Sequence, residues 1–316
     1  MEPLQVLLPF HANDSFLREA VINLKTTGLK DDQIILIDDR IIDGETAVAP
    51  RGISTFGGGY PNALNVGIAS SNAEYLAIMN SDDLVKPDRF SQQLNLLITG
   101  QGDLCVTGIQ KFALVLGFKI QIPTISGEEQ LRAYHPCYLL LGPYGANASW
   151  MWAEKNNLQF EPGDLSDWHT ALKKFRDLKI LFIPEKLYLY RQHRKQLTRN
   201  ATSRTIDFEA IFPAWEKLNA EYGLPKLSVD SAKLLSATWL PKSGKPNVKE
   251  LITWFKAAQS KDMFDRDLIA RKILVLSLKL RSPKLLSLLK VRIIVITFMR
   301  LSHAFLVSRV IGKLSR

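Results

Sequence analysis

Cysteine is nearly absent from this sequence of 316 residues: Cys105 and Cys137 are the only two, and no CxxC spacing occurs. That excludes a disulfide framework and gives no sign of a zinc cluster. Long apolar runs are equally scarce. The longest, Ile293 to Val307, has 15 residues and carries Arg300 and His303, short of the ~20 apolar residues a spanning helix requires. The opening stretch MEPLQVLLPFHAND has an acid at position 2 and no basic region before its brief apolar run, so no signal peptide is expected and cytoplasmic chemistry is. Neither a P-loop nor a G-x-G-x-x-G spacing is present, and the triple glycine at 57–59 reads as a turn. Internal repeats and low-complexity tracts are absent too.

Negative charge is missing unevenly. No acidic residue follows Asp267, yet eleven of the 41 basic residues do, leaving 30 basic residues to face all 31 acids in residues 1–267. The net charge of +10 therefore belongs to the C-terminal tail, and such asymmetry marks interaction with a polyanion. Between the basic residues run ILVLSL, LLSLL, IIVITFM and AFLV, too apolar for a nucleic-acid arm. The expected partner is an anionic membrane surface on the inner face of the cell membrane, not nucleic acid. Lys and Arg would snorkel to phosphates, each contributing ~1 kcal/mol. The competing reading is a basic helical subdomain packed on protein. Lys272, Lys279 and Lys290 share a helix face, but Arg300 and Arg309 do not, and Pro283 interrupts the register.

The remaining chain, with 46% apolar residues overall, can fill a real core. LQVLLPF reads as a buried strand, DSFLREAVINLKTTG as a helix stopped by Gly28, and QIILIDD as a second strand ending in carboxylates. YPNALNVGIASS then predicts a helix and AEYLAIMNSDD a third strand, again ending in acids. This alternation predicts an α/β fold with a mostly parallel, Rossmann-like sheet flanked by helices. Such sheets bind ligands beyond the carboxyl ends of their strands. Here those ends deliver Pro9 to Asn13, Asp38 with Asp39, and Asn80 to Asp83 to one edge. The expected organisation is a catalytic domain over 1–205, a helical brace over 206–267 with a linker near 240–250, and a basic apolar helical tail over 268–316.

Five segments in order, VLLPFHANDSFLREAV, IILIDD, ALNVGIASSNAEYLAIMNSDDLVKPDRF, GDLSDWHTALKKF and LYLYRQH, resemble the successive signatures of family 2 glycosyltransferases with the GT-A fold. The resemblance spans about residues 4–199. It implies an inverting enzyme that moves a sugar from a nucleotide-sugar donor to a hydroxyl acceptor, a glycan or lipid-linked molecule, in cell-surface glycan or polysaccharide assembly. Under it, Pro9, Asn13, Asp38 and Asp39 cradle the nucleotide, with His11 a weaker candidate. NSDD resembles the D-x-D metal motif: Asp82 would ligate Mg²⁺ or Mn²⁺ together with His193, with Asn80 and Asp83 binding substrate. Arg191 would pair with the diphosphate as a bidentate donor. Asp167 would be the general base, with Asp164 in reserve and Trp168 flanking the acceptor. Asn65, in ALNVGI, matches a recurrent family position as either a polar anchor or a ligand contact.

Two departures stand out: Asn80 replaces the first Asp of the metal motif, and Ser166 replaces a Glu before the base. They motivate the alternative of a catalytically inactive relative that binds nucleotide-sugar or acts as a scaffold. A nucleotidyltransferase would need a glycine-rich phosphate loop after the first strand, and Leu8 is followed by none.

Overall fold

The computed structural model describes residues 3–12, 15–40, 52–115, 118–122, 135–142, 147–163, 165–193, 208–236 and 244–289. The chain forms two compact units, one built mainly from residues 1–131, 145–170 and 174–193, the other from 132–144, 171–173 and 194–316.

The first unit is organised by a sheet. Strands β1 (Leu4–Phe10), β2 (Ile34–Asp38), β3 (Ile53–Ser54) and β4 (Tyr75–Ile78) run parallel in the order β3-β2-β1-β4. β1 lies inside this set, with Leu4, Val6, Leu7, Leu8 and Phe10 all buried. A strand covered on both faces reads as a continuous apolar run instead of an alternating one, which is why LQVLLPF lacks period-two patterning. Beyond β4 the sheet becomes mixed. β8 (Trp150–Ala153) runs antiparallel to β4 and to β6 (Leu104–Val115), and β9 (Ile180–Arg191) is parallel to β6. β5 (Leu84–Val85) and β7 (Phe118–Ile122) pair antiparallel with β9 and β6 respectively.

Helix α1 (Ser15–Thr26) buries Leu17, Ala20 and Leu24, the three- and four-residue spacing of one helix face. It ends before Gly28, whose φ of 86° is the left-handed conformation glycine adopts without penalty. Helix α2 (Tyr60–Ala69) lies against β1 and β2. A Cβ at Gly67 would stand 2.4 Å from Ile37 Cδ1, so the missing side chain sets how close helix and sheet come. Helix α3 (Arg89–Gly100) follows Pro87.

Arg89 is fully buried. Its Nη2 donates to Ile78 O at 3.1 Å and Ala148 O at 2.6 Å, and its Nε to Gln93 Oε1 at 3.0 Å. Gln93 in turn donates to Cys105 O and Ser149 O. The pair ties α3 to β4, β6 and the approach to β8, satisfying carbonyls that would otherwise be buried without donors. Burial pulls the Arg89 guanidinium down to about 10, and the rings of Phe90 and Tyr188 cover its faces at 4.8 and 5.1 Å. It therefore remains a cation at neutral pH.

The second unit is helical in its described residues: α5 (Phe208–Glu221), α6 (Val229–Ser236), α7 (Val248–Gln259), α8 (Arg266–Leu280) and α9 (Pro283–Leu286), with a 3₁₀ stretch at Pro136–Leu141. Carbonyls at the end of that stretch act as a hub. Leu140 O accepts from Trp215 Nε1 at 3.1 Å and Ser236 Oγ at 2.8 Å, and Leu141 O accepts from Lys272 Nζ at 2.6 Å. Helix α8 begins at Arg266 and buries Ile269, Ala270, Ile273, Leu274 and Leu276. The expected boundary at 268 therefore falls inside a helix, and the expected brace and the first part of the tail share one unit. Residues 268–289 lie in α8, α9 and the turns after them; residues 290–316 lie outside the described residues. The expected linker near 240–250 has 237–243 outside the described residues, and α7 starts at Val248. Pro283 does interrupt the helical register: Arg281 is left-handed, and Ser282 caps α9.

Replacing Arg89 by Met keeps the volume and strips three carbonyl-type acceptors of their donor. Arg89→Met is expected to lower the unfolding free energy by about 3 kcal/mol in urea denaturation; a loss below about 1 kcal/mol would show that these bonds do not matter.

Candidate active site

The described candidate residues with a motif origin lie in the first unit, most of them at the ends of β1, β2, β4 and β9, with Asn65 in α2 and Asp167 and Trp168 in a helix that starts at Ser166. β2 and β4 flank β1, which sets their ends ~10 Å apart. Pro9 pairs with Ile37 near the end of β1, past the last residue bonded to β4, Leu7 opposite Ile78. Its missing N–H therefore costs no ladder bond on that side. Asn13 and Asp164 lie outside the described residues, and His11 is exposed.

Asp38 and Asp39 perform different tasks although adjacent. Asp38 is buried and held by Arg40, whose Nε donates to Oδ1 at 2.7 Å, whose backbone N–H donates to the same oxygen at 3.1 Å, and whose Nη2 reaches Oδ2. Burial opposes its charge, but the side-chain and backbone hydrogen bonds from Arg40 outweigh that and hold the carboxyl below its ordinary value. Asp39 Oδ1 accepts from Thr55 Oγ1 at 2.6 Å and from Gly59 N–H at 3.1 Å. It fastens the glycine-rich turn ahead of α2.

The NSDD cluster also divides its labour. Asp83 is 1% exposed and accepts from Tyr188 Oη, from Arg191 N–H at 2.7 Å and from Asn80 Nδ2 at 3.2 Å. Burial, and then the charge of Asp82, push its pKa up, while those donors pull the other way. Asp82 is the more open carboxylate, with its side chain 28% exposed and Oδ2 2.8 Å from His193 Nε2. Its backbone carbonyl accepts from Arg191 Nε at 2.7 Å. Arg191 is buried, pairs with Glu19 at 2.6 Å and lies over the rings of Phe16 and Phe112. The sequence pattern alone gave no sign of its commitment to Glu19.

Asp167 stands in the first turn of α4 (Ser166–Lys174), partly exposed, its Oδ1 accepting from Trp168 N–H at 2.8 Å. Burial raises its pKa. Ser166 Oγ is buried with no hydrogen-bond partner among the described residues. Trp168 is core, 1% exposed, not an open platform for an acceptor. Asn65 is a structural anchor: its amide exchanges two 2.8 Å hydrogen bonds with the backbone of Phe160.

Tyr60 joins these pieces and was missed by sequence reasoning. Its hydroxyl is 2.9 Å from Asn80 Oδ1 and 3.2 Å from Asn147 Oδ1. Burial raises its pKa, and the charges of Asp167, Asp82 and Asp83 all act on it. Asp167 and the NSDD cluster are thus within electrostatic reach of one phenol. Arg40 had a signal in sequence, a cation two residues after a strand-terminal acid; Tyr60 had none.

A divalent cation fits here only as a shared ion. Asp82 and His193 offer one oxygen and one nitrogen donor, Asn80 and Asp83 are spent on protein partners, and among the described residues no group of three His, Cys, Asp or Glu could hold a metal. Mg²⁺ and Mn²⁺ sites with one or two protein ligands are completed by phosphate oxygens and water.

Residues 5–136 match the model of glycosyl transferase family 2. An uncharacterized glycosyltransferase of Rickettsia typhi is 30% identical over 100 residues, covering 30% of this chain and 31% of its own. One from Haemophilus influenzae is 25% identical over 138 residues, covering 40% and 54%. The chain thus spans between a third and about half the length of these curated relatives. Among solved structures, residues 1–349 of S. aureus TarS in complex with UDP-GlcNAc superpose with a TM-score of 0.52 at 11% identity, covering 90% of this chain and 89% of that one. The mannosyltransferase PcManGT from Pyrobaculum calidifontis, in complex with GDP-Man and Mn²⁺, gives 0.50 at 14% identity over 98% and 86%. Likeness at such identity establishes the fold, the GT-A arrangement expected from the motif order.

The two acids of NSDD are separable by experiment. Asp83→Ala strands three donors and is expected to cost about 2–4 kcal/mol of stability, whereas Asp82→Ala is expected to stay within about 1 kcal/mol of wild type while weakening Mn²⁺ binding in the presence of nucleoside diphosphate. Equal thermal shifts in the two variants would contradict this division.

Proposed function

We propose that this chain, whose residues 5–136 match the model of glycosyl transferase family 2, is an inverting glycosyltransferase that moves a sugar from a nucleotide-sugar donor to a hydroxyl acceptor. The observation that carries the reading is that the charges of Asp167, Asp82 and Asp83 all act on Tyr60, whose hydroxyl bonds Asn80 of the same cluster. A donor spanning that edge would place its diphosphate near Asp82 and its anomeric carbon toward Asp167. The structural relatives TarS and PcManGT are complexes with UDP-GlcNAc and GDP-Man, and a nucleotide-sugar is the donor class proposed for this chain as well.

In the proposed reaction the acceptor oxygen attacks the anomeric carbon, the carbon–oxygen bond to the diphosphate breaks, and nucleoside diphosphate leaves. The acceptor's proton passes to the carboxylate of Asp167. A raised pKa suits that task, since a base is most effective when its affinity for the proton approaches the working pH. Asp38, Asp39 and Pro9 would line the nucleotide end. Arg40 would have to share Asp38 with any base or ribose donor, because it already engages both oxygens. Arg191 acts on substrate through what it holds: its side chain and backbone bind Asp82 O and Asp83. Asp82 and His193 would hold Mg²⁺ or Mn²⁺, which when bound offsets charge developing on the leaving diphosphate.

Acceptor and location are proposed on the sequence. The basic, apolar segment 290–316 suits the surface of an anionic membrane, and the acceptor class that fits such a site is a lipid-linked or cell-surface glycan. No helix among the described residues is long and apolar enough to cross a membrane. The inactive-relative reading has Asn80 and Ser166 in its favour, and turnover decides between the two.

Glycosyl transfer measured across UDP- and GDP-sugars, with and without Mn²⁺, is the direct test. Asp167→Asn is expected to lose at least about 100-fold in kcat while still binding donor; a panel with no turnover would favour the inactive relative. The sign of the pH effect follows from the raised carboxyl. Activity needs Asp167 deprotonated, so the acid limb of kcat/KM should lie above the ordinary value of 3.8. An acid limb at or below it would argue against Asp167 as the base. For location, a chain ending at Leu289 is expected to lose co-sedimentation with phosphatidylserine vesicles; unchanged binding would remove residues 290–316 from the membrane proposal.

A further inference from the structure

Tyr60 opens α2 with its hydroxyl between two amides, Asn80 Oδ1 at 2.9 Å and Asn147 Oδ1 at 3.2 Å. A phenol has one proton and two lone pairs, so it cannot donate to both. Asn80 settles which amide receives it. Its Nδ2 lies 3.2 Å from Asp83 Oδ2, on a carboxyl that also accepts from Tyr188 and Arg191, which fixes Asn80 Oδ1 toward the phenol. The phenolic proton therefore goes to Asn80. Asn147 then faces an oxygen with no proton left to give, and its amide is satisfied by presenting Nδ2 instead, an exchange of oxygen and nitrogen that leaves the side-chain shape unchanged. One lone pair on the Tyr60 oxygen remains.

The surroundings indicate what that lone pair meets. Tyr60 is half-buried, not sealed in the core. The charges of Asp82, at the proposed diphosphate end, and of Asp167, at the proposed attacking end, both act on it. Between a leaving diphosphate and an attacking hydroxyl lies the transferred sugar. Asn80, at the position where a ligand contact was expected from the motif, has both polar atoms engaged within the protein.

We propose that the Tyr60 hydroxyl accepts a hydrogen bond from a hydroxyl group of the donor sugar, and that it, not Asn80, reads the sugar at this corner of the site. Asn80 and Asn147 are then positioning residues that aim the phenol. The inference rests on the nucleotide-sugar reading above and narrows it: the donor carries a free hydroxyl facing Tyr60, and a donor lacking it is discriminated against. Sites that hydrogen-bond a substrate hydroxyl reject the deoxy analogue because a buried polar atom is left without its partner.

The test is calorimetric titration of wild type and Tyr60→Phe with UDP-GlcNAc, GDP-mannose and further UDP-hexoses, and with UDP and GDP alone, in Mn²⁺. For the sugar nucleotide that wild type binds, Tyr60→Phe is expected to weaken affinity about fivefold or more. Affinity for the matching nucleoside diphosphate should be unchanged, which checks folding of the variant in the same sample. Monodeoxy donors sharpen the result: the one lacking the sensed hydroxyl should bind wild type as weakly as the full donor binds Tyr60→Phe, with no further loss in the variant. Equal weakening for sugar nucleotide and nucleoside diphosphate, or an unchanged preference for sugar nucleotide, would overturn the role of Tyr60 and leave the donor reading standing. Failure of wild type to bind any of these ligands would overturn both.

Discussion

A carboxylate that is 1% exposed and one residue from another carboxylate is the constraint on which the candidate site depends. Asp83 can occupy that place only because Tyr188, Arg191 and Asn80 supply it with donors. Those donors come from β9 and from the segment after β4, so satisfying one buried group joins two distant parts of the chain. The same arrangement aims Asp82 outward and brings His193 to 2.8 Å from it. These bonds add to the antiparallel pairing of β5 with β9 in holding the segment after β4 against the end of β9.

Charge elsewhere in the first unit is managed by the same rule, that a buried charge needs partners matched to its geometry. Arg40 neutralises Asp38 in a fork-like contact; Arg191 leans on Glu19 and two aromatic rings; Arg89 has carbonyls and ring faces instead of a carboxylate. The phenol of Tyr188 connects two of these systems, donating to Asp83 at its hydroxyl while its ring covers Arg89. Acidity at the edge of the sheet is therefore not a pool of interchangeable acids. Asp83 is buried among its donors, Asp39 fastens a turn while staying partly exposed, and Asp82 and Asp167 are partly open as well.

In the basic C-terminal region, charge composition and packing divide the chain at different places. Eleven cations and no acid after Asp267 suggested a single tail, yet α8 buries one face of apolar residues and sends Lys272 to a backbone carbonyl. A lysine can belong to a packed helix when its stem covers apolar surface and its ammonium caps a carbonyl. Such a lysine counts in the formal charge of the sequence while its head group is turned onto the protein.

The order of strands and helices, the identity of the acids at strand ends and the motif order were legible in the sequence. Each is a local property: LQVLLPF and QIILIDD contain unbroken apolar runs, and Leu17, Ala20 and Leu24 keep helical spacing, all within a dozen residues. What the acids do was not legible. Asp38 and Asp39, or Asp82 and Asp83, are equivalent as letters and differ only in which donors reach them from 16 to 111 residues away or from a neighbouring loop. Tyr60 carried no signal because its role arises from Asn80 and Asn147, 20 and 87 residues distant. Periodic burial is written along the chain, whereas hydrogen-bond partnership exists only after the chain has closed on itself.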